Sequence, residues 1–327
     1  MSETLTFHFE GALADSHRMN FYESARFQYA AARLMVKLAQ FRKHGRFVQK
    51  ITNNSNFDIQ LVSQIDGSFN INIEDPGQSP AEESFVKISL ADLVAYVSER
   101  VVDKIDQATL SEAALSNRNR LVDSKLADTD PATAIDQLVE AALADKVLTS
   151  SLPPDVQDLI KRRVAESYRE QRLSVSQSAI SRIDFARSQK LIAMSAPLIS
   201  EMATALRTSA ATLEVRSSVH EHGRSVLFLD RDMAQEIETA IVDPEITPIL
   251  GDITQFNKDN GWGKLKIDQG VKTISFSIPY DILPSIRQKL IDNMKVDQVY
   301  LQTYFVRDRS GEVVRLIAVG ILPTPTA

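Results

Sequence analysis

The only tryptophan of this 327-residue chain, Trp262, stands beside Lys258, Lys264 and Lys266. An indole stacks on a flat base and ammonium groups neutralise phosphates, so this combination suits a single-stranded nucleic acid or a nucleotide-like ligand. Residues two apart on a strand point the same way, which places Trp262, Lys264 and Lys266 on one predicted face. Arg307, Arg309 and Arg315, near a C-terminal hairpin, can extend that face. A second reading fits the same residues: a solvated strand with its lysine stems lying along apolar neighbours, and Gly261 and Gly263 serving the hairpin bend.

Other groupings with chemical potential are sparser. His220 and His222, two apart on an extended segment, can supply two metal ligands, but no third is evident nearby, and an exposed, inert linker explains them better. Asp15 with His17, or Glu10 with Glu23, can act as acid–base pairs; capping of the following helix by Asp15 or Ser16 accounts for the loop more simply. Lys161, Arg162, Arg163, Arg169 and Arg172 form a basic helical face, and Asp155, Asp158, Glu166 and Glu170 are spaced to neutralise it within the helix. The phosphate-binding GxxxxGK[ST] and GxGxxG patterns and the GxSxG elbow are absent. With no cysteine, thiolate catalysis, disulfides and cysteine-held metals are excluded. No cofactor is expected, and no catalytic signature is present.

Composition sets the frame for these groups. A hydrophobic fraction of 43% and a charged fraction of 24% are those of a globular protein with a substantial core. The net charge of −6 argues against a broadly basic surface and leaves room only for a local cationic groove. No apolar run reaches the roughly 20 residues a bilayer crossing needs, and MSETLTFHFEG has no signal-peptide pattern, so a cytoplasmic location without membrane contact is expected.

Leu5, Phe7 and Phe9 alternate with polar residues as a first strand, and Tyr22 to Arg42 carries a helical apolar stripe that ends at His44-Gly45. Strands are predicted at Phe47–Thr52, Phe57–Ile65 and Ser68–Glu74, the last two joined at Asp66-Gly67. The Pro/Gly/Ser-rich segment from Asp75 to Ser84 marks a boundary. Helices are then predicted from Ser89 to Val102, from Asp130-Pro131 to Leu148, from Pro153-Pro154 onward, and from Val175 to Leu213 with an interruption near Pro197. From Ser225 strands return: SVLFLD, a short helix, then strands over 246–257, 261–267, 273–278, 298–306 and 313–322, with a helix over 284–294 between the third and fourth.

Five strands with a helix before the last two is the order of an OB-fold. Within it Gly251, Ile253, Phe256-Asn257, Gly261, Gly263 and Leu265 resemble the opening hairpin of cold-shock domains over about fifteen residues. That resemblance implies a barrel with aromatics that stack on bases, with Trp262 at one such position; Gln255 and Lys264 stand where the family carries aromatics. The N-terminal FEGALADSHRMNFYESARFQYAAARL is similar to an uncharacterised bacterial family associated with mobile elements and defence loci, which implies a bacterial setting and no residue roles.

The expected architecture is α+β: an N-terminal α/β domain with a hairpin (1–76), a helical middle (85–222) and an OB-like barrel domain (223–327). The expected function is non-enzymatic recognition of nucleic acid or a nucleotide-like ligand by the barrel, through Trp262, Lys258, Lys264, Lys266, Arg307, Arg309 and Arg315. The alternative is a structural adaptor or oligomeric scaffold that binds only protein, since the long middle helices carry more apolar stripe than two small domains need. An enzyme built on Asp15, His17 and Glu23 is the third reading.

Overall fold

The computed structural model describes residues 3–53, 56, 59–62, 69–75, 84–105, 139, 154–217, 224–267, 272–295, 298–308 and 311–323. The predicted helix over 130–148, the Asp66-Gly67 turn, His220, His222 and Arg309 lie outside the described residues, apart from the single position 139.

Strand β1 (Glu3–Glu10) enters helix α1 (Phe21–His44). The Asn20 side chain caps α1 by accepting from the Tyr22 and Glu23 amides, so the cap is Asn20 and neither Asp15 nor Ser16. Asp15 instead accepts from the Gly11 amide at 2.7 Å and closes the preceding turn. Gly45, at φ 63°, ends α1 in the left-handed conformation that a glycine adopts without penalty. Leu5, Phe7 and Phe9 lie buried against α1, with Phe27 edge-on to Phe7 and Phe9 at 5.3 and 4.8 Å between ring centres.

Strands β2 (Gln60–Val62) and β3 (Phe69–Asp75) pair beside β1 as predicted, whereas 47–52 contains no strand. The sheet has five strands in the order β2-β3-β1-β4-β5, all antiparallel, completed by β4 (Thr212–Ser217) and β5 (Arg224–Asp230). The segment SVLFLD thus belongs to this first sheet and not to the barrel region, which corrects its sequence-based placement.

Helix α2 (Leu90–Val101) opens with a reciprocal capping box between Ser89 and Asp92 and is buried on every side. Its surroundings include α3 (Pro154–Val175), with which it shares an ionic core, and α5 (Phe185–Ala203). Between them lies the short α4 (Gln177–Ile180). The chain breaks at 181–184, where Asp184 caps α5 through the Arg187 amide, and Pro197 is carried inside α5. The predicted single helix over 175–213 is therefore two helices and a strand. The β4 signal was present in the alternation of Leu213 and Val215 with Glu214 and Arg216.

After α6 (Arg231–Thr239) the chain forms a closed barrel of β6 (Ile241–Phe256), β7 (Trp262–Ile267), β8 (Lys272–Ser277), β9 (Val299–Arg307) and β10 (Val313–Leu322), with α7 (Leu283–Asn293) between β8 and β9. Neighbours run β10-β8-β7-β6-β9, and β8 with β10 is the one parallel pair. This mixed five-stranded closure is compatible with an OB-like fold. Ile253, Leu265, Phe276, Leu301 and Leu316 fill the interior. Tyr304, Val306 and Ile317, on the outer side of β9 and β10, join the core of the first sheet and its helices. One wall of the barrel is thus already packed on the rest of the chain.

Gly263 shows how tightly the barrel is built. A side chain there would meet the Phe276 ring at 2.4 Å and the Gln255 carbonyl at 2.7 Å, and the Phe276 ring also stacks on Phe256 at 6.3 Å. Gly263→Ala is expected to destabilise the protein by about 1–3 kcal/mol, the usual cost of forcing extra volume into a packed core. Urea unfolding of the two proteins checks this.

Candidate functional site

The predicted site is carried by β7 and the loop before it. Asn257 organises that loop, its side chain accepting from the Asp259 and Asn260 amides. Asn260 in turn accepts from the Trp262 amide at 2.9 Å. Leu265 points into the barrel, so Lys264 and Lys266 point out, as the alternation requires.

Trp262 has the outward parity but is only 4% exposed, which corrects the expectation that its ring is presented to a ligand. The loop that precedes it and the end of β8 are tied to the residues after α2. The Lys104 ammonium donates to the carbonyls of Asn260 at 2.5 Å and Ile278 at 3.0 Å, and the Asn260 amide reaches the Ile105 carbonyl at 3.5 Å. The chain's own 103–105 segment is fastened across the end of the barrel where Trp262 sits. Lys264 places its ammonium 5.3 Å from the centre of the indole, a cation–π contact from the outer side.

The arginines do not extend this face. Arg307 is held by Asp243 at 2.9 Å and by the Gly311 carbonyl at 2.9 Å. Arg315 is buried, donating to the Val101 carbonyl at 3.0 Å and lying 3.5 Å from Asp103. Lys258, Lys264 and Lys266 remain on the accessible side of the barrel: Lys258 and Lys266 are exposed and Lys264 half-buried.

The other candidate groups are structural. Glu23 accepts from the Ser209 amide at 3.0 Å, from the Ser209 hydroxyl and from the Thr208 hydroxyl at 2.7 Å, tying α1 to the segment before β4. His17 caps the turn after Asp15 with φ 55°. Glu10 bonds to His8 at 2.8 Å and to the Lys161 ammonium. The His8 hydrogen bond and the Lys161 charge outweigh its burial and hold its pKa down to about 2. A carboxylate fixed in this way is a poor proton carrier near neutral pH.

The basic face of α3 is spent largely on long-range partners, not on its own helix as the spacing suggests. Arg163 does pair with Glu166 at 3.2 Å. Arg169, however, reaches Glu99 at 3.3 Å, and Arg172 reaches Asp92 at 2.7 Å, Glu3 at 3.2 Å and Ser89 at 2.7 Å. Among the described residues no cluster of three or more His, Asp or Glu side chains can hold a metal ion, and no helix is long and apolar enough to cross a membrane.

A surface that sequence reading passed over lies on α1. Phe21, Tyr22 and Tyr29 are 90%, 68% and 62% exposed. Ala25 and Ala32 are exposed between and beyond the tyrosines, so Tyr22, Ala25, Tyr29 and Ala32 make one outward stripe of alternating large and small apolar residues. Arg26 and Arg33 flank it, their guanidinium carbons 5.7 and 5.2 Å from the Tyr22 and Tyr29 ring centres. The signal was legible: these positions recur at three and four residues, opposite the stripe of Phe27, Leu34 and Leu38 that faces the core. The chain matches no protein-family profile, no curated protein sequence and no solved structure.

Proposed function

We propose that this chain is a non-enzymatic, protein-binding scaffold whose docking surface is the outward stripe of α1. The observation that carries this reading is the exposure of Phe21, Tyr22 and Tyr29 on a single helix face. Exposed apolar residues scattered singly are ordinary, but a contiguous aromatic stripe is the composition of an interface centre, where tyrosine, phenylalanine and arginine are enriched. The alternation with Ala25 and Ala32 suits the close approach of a second helix, from another copy of this chain or from a different protein.

Two measurements test the proposal together. Multi-angle light scattering of the purified chain is expected to show a defined oligomer, or a stoichiometric co-purifying protein. Ala25→Glu, a change at an exposed position, is expected to abolish that assembly while leaving the thermal midpoint in place. A monomer without a partner, or an assembly indifferent to Ala25→Glu, overturns it.

Recognition of single-stranded nucleic acid by the barrel is the second reading, supported by Lys258, Lys264 and Lys266 on the outer side of β7 and its loop. It is the weaker one because Trp262 is covered and two of the expected arginines are paired within the chain. Its signature is salt-sensitive anisotropy of a labelled oligonucleotide that Lys264→Glu with Lys266→Glu removes. No binding at low salt rejects it.

A further inference from the structure

The C-terminal end of α1 is met by two other stretches of the chain. The Phe85 and Val86 amides donate to the Lys43 and Arg42 carbonyls, each at 3.1 Å, which lays the segment before α2 along that end. Gly45 leaves room for the Phe85 ring, since a side chain on it would come within 2.8 Å of that ring. Arg187, in the first turn of α5, donates from Nε to the Gly45 carbonyl at 3.4 Å. Its guanidinium carbon lies 4.8 Å from the Phe85 ring centre, and that of Arg182, in the break before α5, lies 6.0 Å from it.

This junction bears two adjoining clefts of about 600 and 630 Å³. The first is lined by Lys43, His44, Arg46, Lys87 and Arg182. The second is lined by Arg46 again, with Arg187, Lys190 and Asp184. Among the described residues Asp184 is the one carboxylate on either cleft, and it is already paired with Arg187. Arg46, Lys87, Arg182 and Lys190 are exposed, and among the described residues none of the four joins an ion pair.

That concentration runs against the rest of the molecule. The chain carries more acid than base, 43 residues to 37, and Arg163, Arg169, Arg172, Arg307 and Arg315 each meet a carboxylate. The negative end of the α1 dipole accounts for Lys43 and His44. It does not account for cations delivered by the segment before α2, by the break between α4 and α5, and by α5 itself. Like charges gathered in this way repel one another, and an anion that enters between them relieves the repulsion.

The lining says which anion. Arg46 borders both clefts, so the cations form one continuous track, which suits a chain of charges better than a single ion. No exposed large apolar side chain lines either cleft, Phe47 and Phe85 being half-buried. Protein partners draw their affinity from aromatic and apolar anchors at the interface centre, whereas a phosphate backbone is held by lysine and arginine through release of its counterions. The clefts are recessed, so a backbone strand can follow them and a flat bilayer surface cannot enter.

We propose that this basic track binds the phosphate backbone of nucleic acid without regard to its sequence. With no exposed aromatic ring offered for stacking, unpaired bases are not required, and a duplex is a sufficient ligand. The track shares no residue with the α1 stripe or with the lysines of β7 and its loop, so it stands or falls apart from either reading of function.

The test is anisotropy of a labelled, mixed-sequence duplex of about 20 base pairs, titrated with the full chain between about 50 and 200 mM salt. Binding is expected with a Kd between about 1 and 100 µM near physiological salt, and the logarithm of the association constant is expected to fall against that of salt with a slope of about −4. Arg46→Gln with Lys87→Gln is expected to weaken binding about tenfold or more at the lower salt and to reduce that slope by about 2, one for each phosphate contact removed. Both positions are exposed, so the thermal midpoint is expected to stay in place. Arg182→Gln with Lys190→Gln, a second exposed pair, is expected to act in the same way. Lys264→Glu with Lys266→Glu, which removes the barrel's cations, is expected to leave duplex binding unchanged. Absence of duplex binding at the lower salt overturns the proposal, and so does binding that neither glutamine pair weakens or that the barrel variant abolishes. Displacement of the duplex by poly-glutamate or by phosphatidylserine vesicles, more readily than by unlabelled duplex at matched charge, gives the track a different occupant and overturns it as well.

Discussion

Replacing Glu99 by alanine is expected to destabilise this protein by about 3–5 kcal/mol, because the truncation strands two buried cations. Glu99 lies 2.6 Å from the Lys104 ammonium and 3.3 Å from Arg169, all three being under 5% exposed. Its Oε1 also accepts from the Tyr280 amide at 3.2 Å, so one carboxylate joins α2, α3 and the barrel. Burial alone would raise its pKa; the charges of Lys104 and Arg169 outweigh that and hold it below the ordinary value. A carboxylate with a depressed folded-state pKa stabilises the fold above its unfolded pKa, and the contribution is lost as pH falls through the folded value. The loss caused by Glu99→Ala should therefore be full at pH 7 and shrink in acid. Urea unfolding across that range checks both the size and the trend. A loss under about 1 kcal/mol at pH 7, typical of an exposed ion pair, would show that water reaches these charges.

The same cluster adjoins the candidate site, which was legible in the sequence only in part. Four of the barrel's strands were legible to within a residue, because Gly261, Gly263 and the Asp308–Gly311 turn punctuate alternating segments of local pairing, whereas β6 starts five residues before its expected beginning and runs through Pro244. The parity of Lys264 and Lys266 followed from the same alternation. The docking of Lys104 on the loop before Trp262 did not, since Lys104 is 156 positions from Asn260 and no periodicity encodes that meeting. Long-range ion pairs are likewise invisible in spacing: Arg169 has Glu166 at helical distance, yet it pairs with Glu99 on α2, and Arg172 finds its partners on α2 and β1. The completion of the first sheet by β4 and β5 is a third case. Its local signal was present but was outweighed by the helical propensity of the preceding segment.

A barrel that lends its β9–β10 surface to the main core is packed on the helices rather than free to move beside them. The ionic contacts at this junction carry charge as well as packing. Glu99, Lys104, Arg169 and Glu166 are all nearly sealed, and Glu166 Oε1 accepts from the Ile105 amide at 2.9 Å where the chain leaves α2. Holding the 103–105 segment against the barrel thus depends on charged groups whose protonation matters, and one acidic group near it titrates close to neutrality.

That group is Glu170. Burial raises its carboxyl from 4.5 to about 7, with the nearby charges of Glu99 and Glu166 adding to the rise and those of Lys104 and Arg163 only partly opposing it. Arg163 stands 3.7 Å from Glu170 Oε1, which has no hydrogen-bond partner. A carboxyl whose folded pKa exceeds its unfolded one binds its proton more tightly in the native state. Stability from this group is therefore greatest below about pH 4.5 and falls as pH rises toward about 7. At 1.36 kcal/mol per pH unit, the difference amounts to about 3 kcal/mol, reached once the group is ionised in both states. Glu170→Gln, which keeps the shape and cannot ionise, is expected to be the more stable protein above pH 7 by up to about that amount. Near pH 4.5, where native Glu170 is neutral, the two should converge. The measurement is the difference in urea unfolding free energy between Glu170→Gln and the native chain at several pH values from 4.5 to 8. A difference that does not grow with pH would place the carboxylate in contact with water, and a native chain that outlasts Glu170→Gln at pH 8 would mean that the Arg163 contact outweighs desolvation.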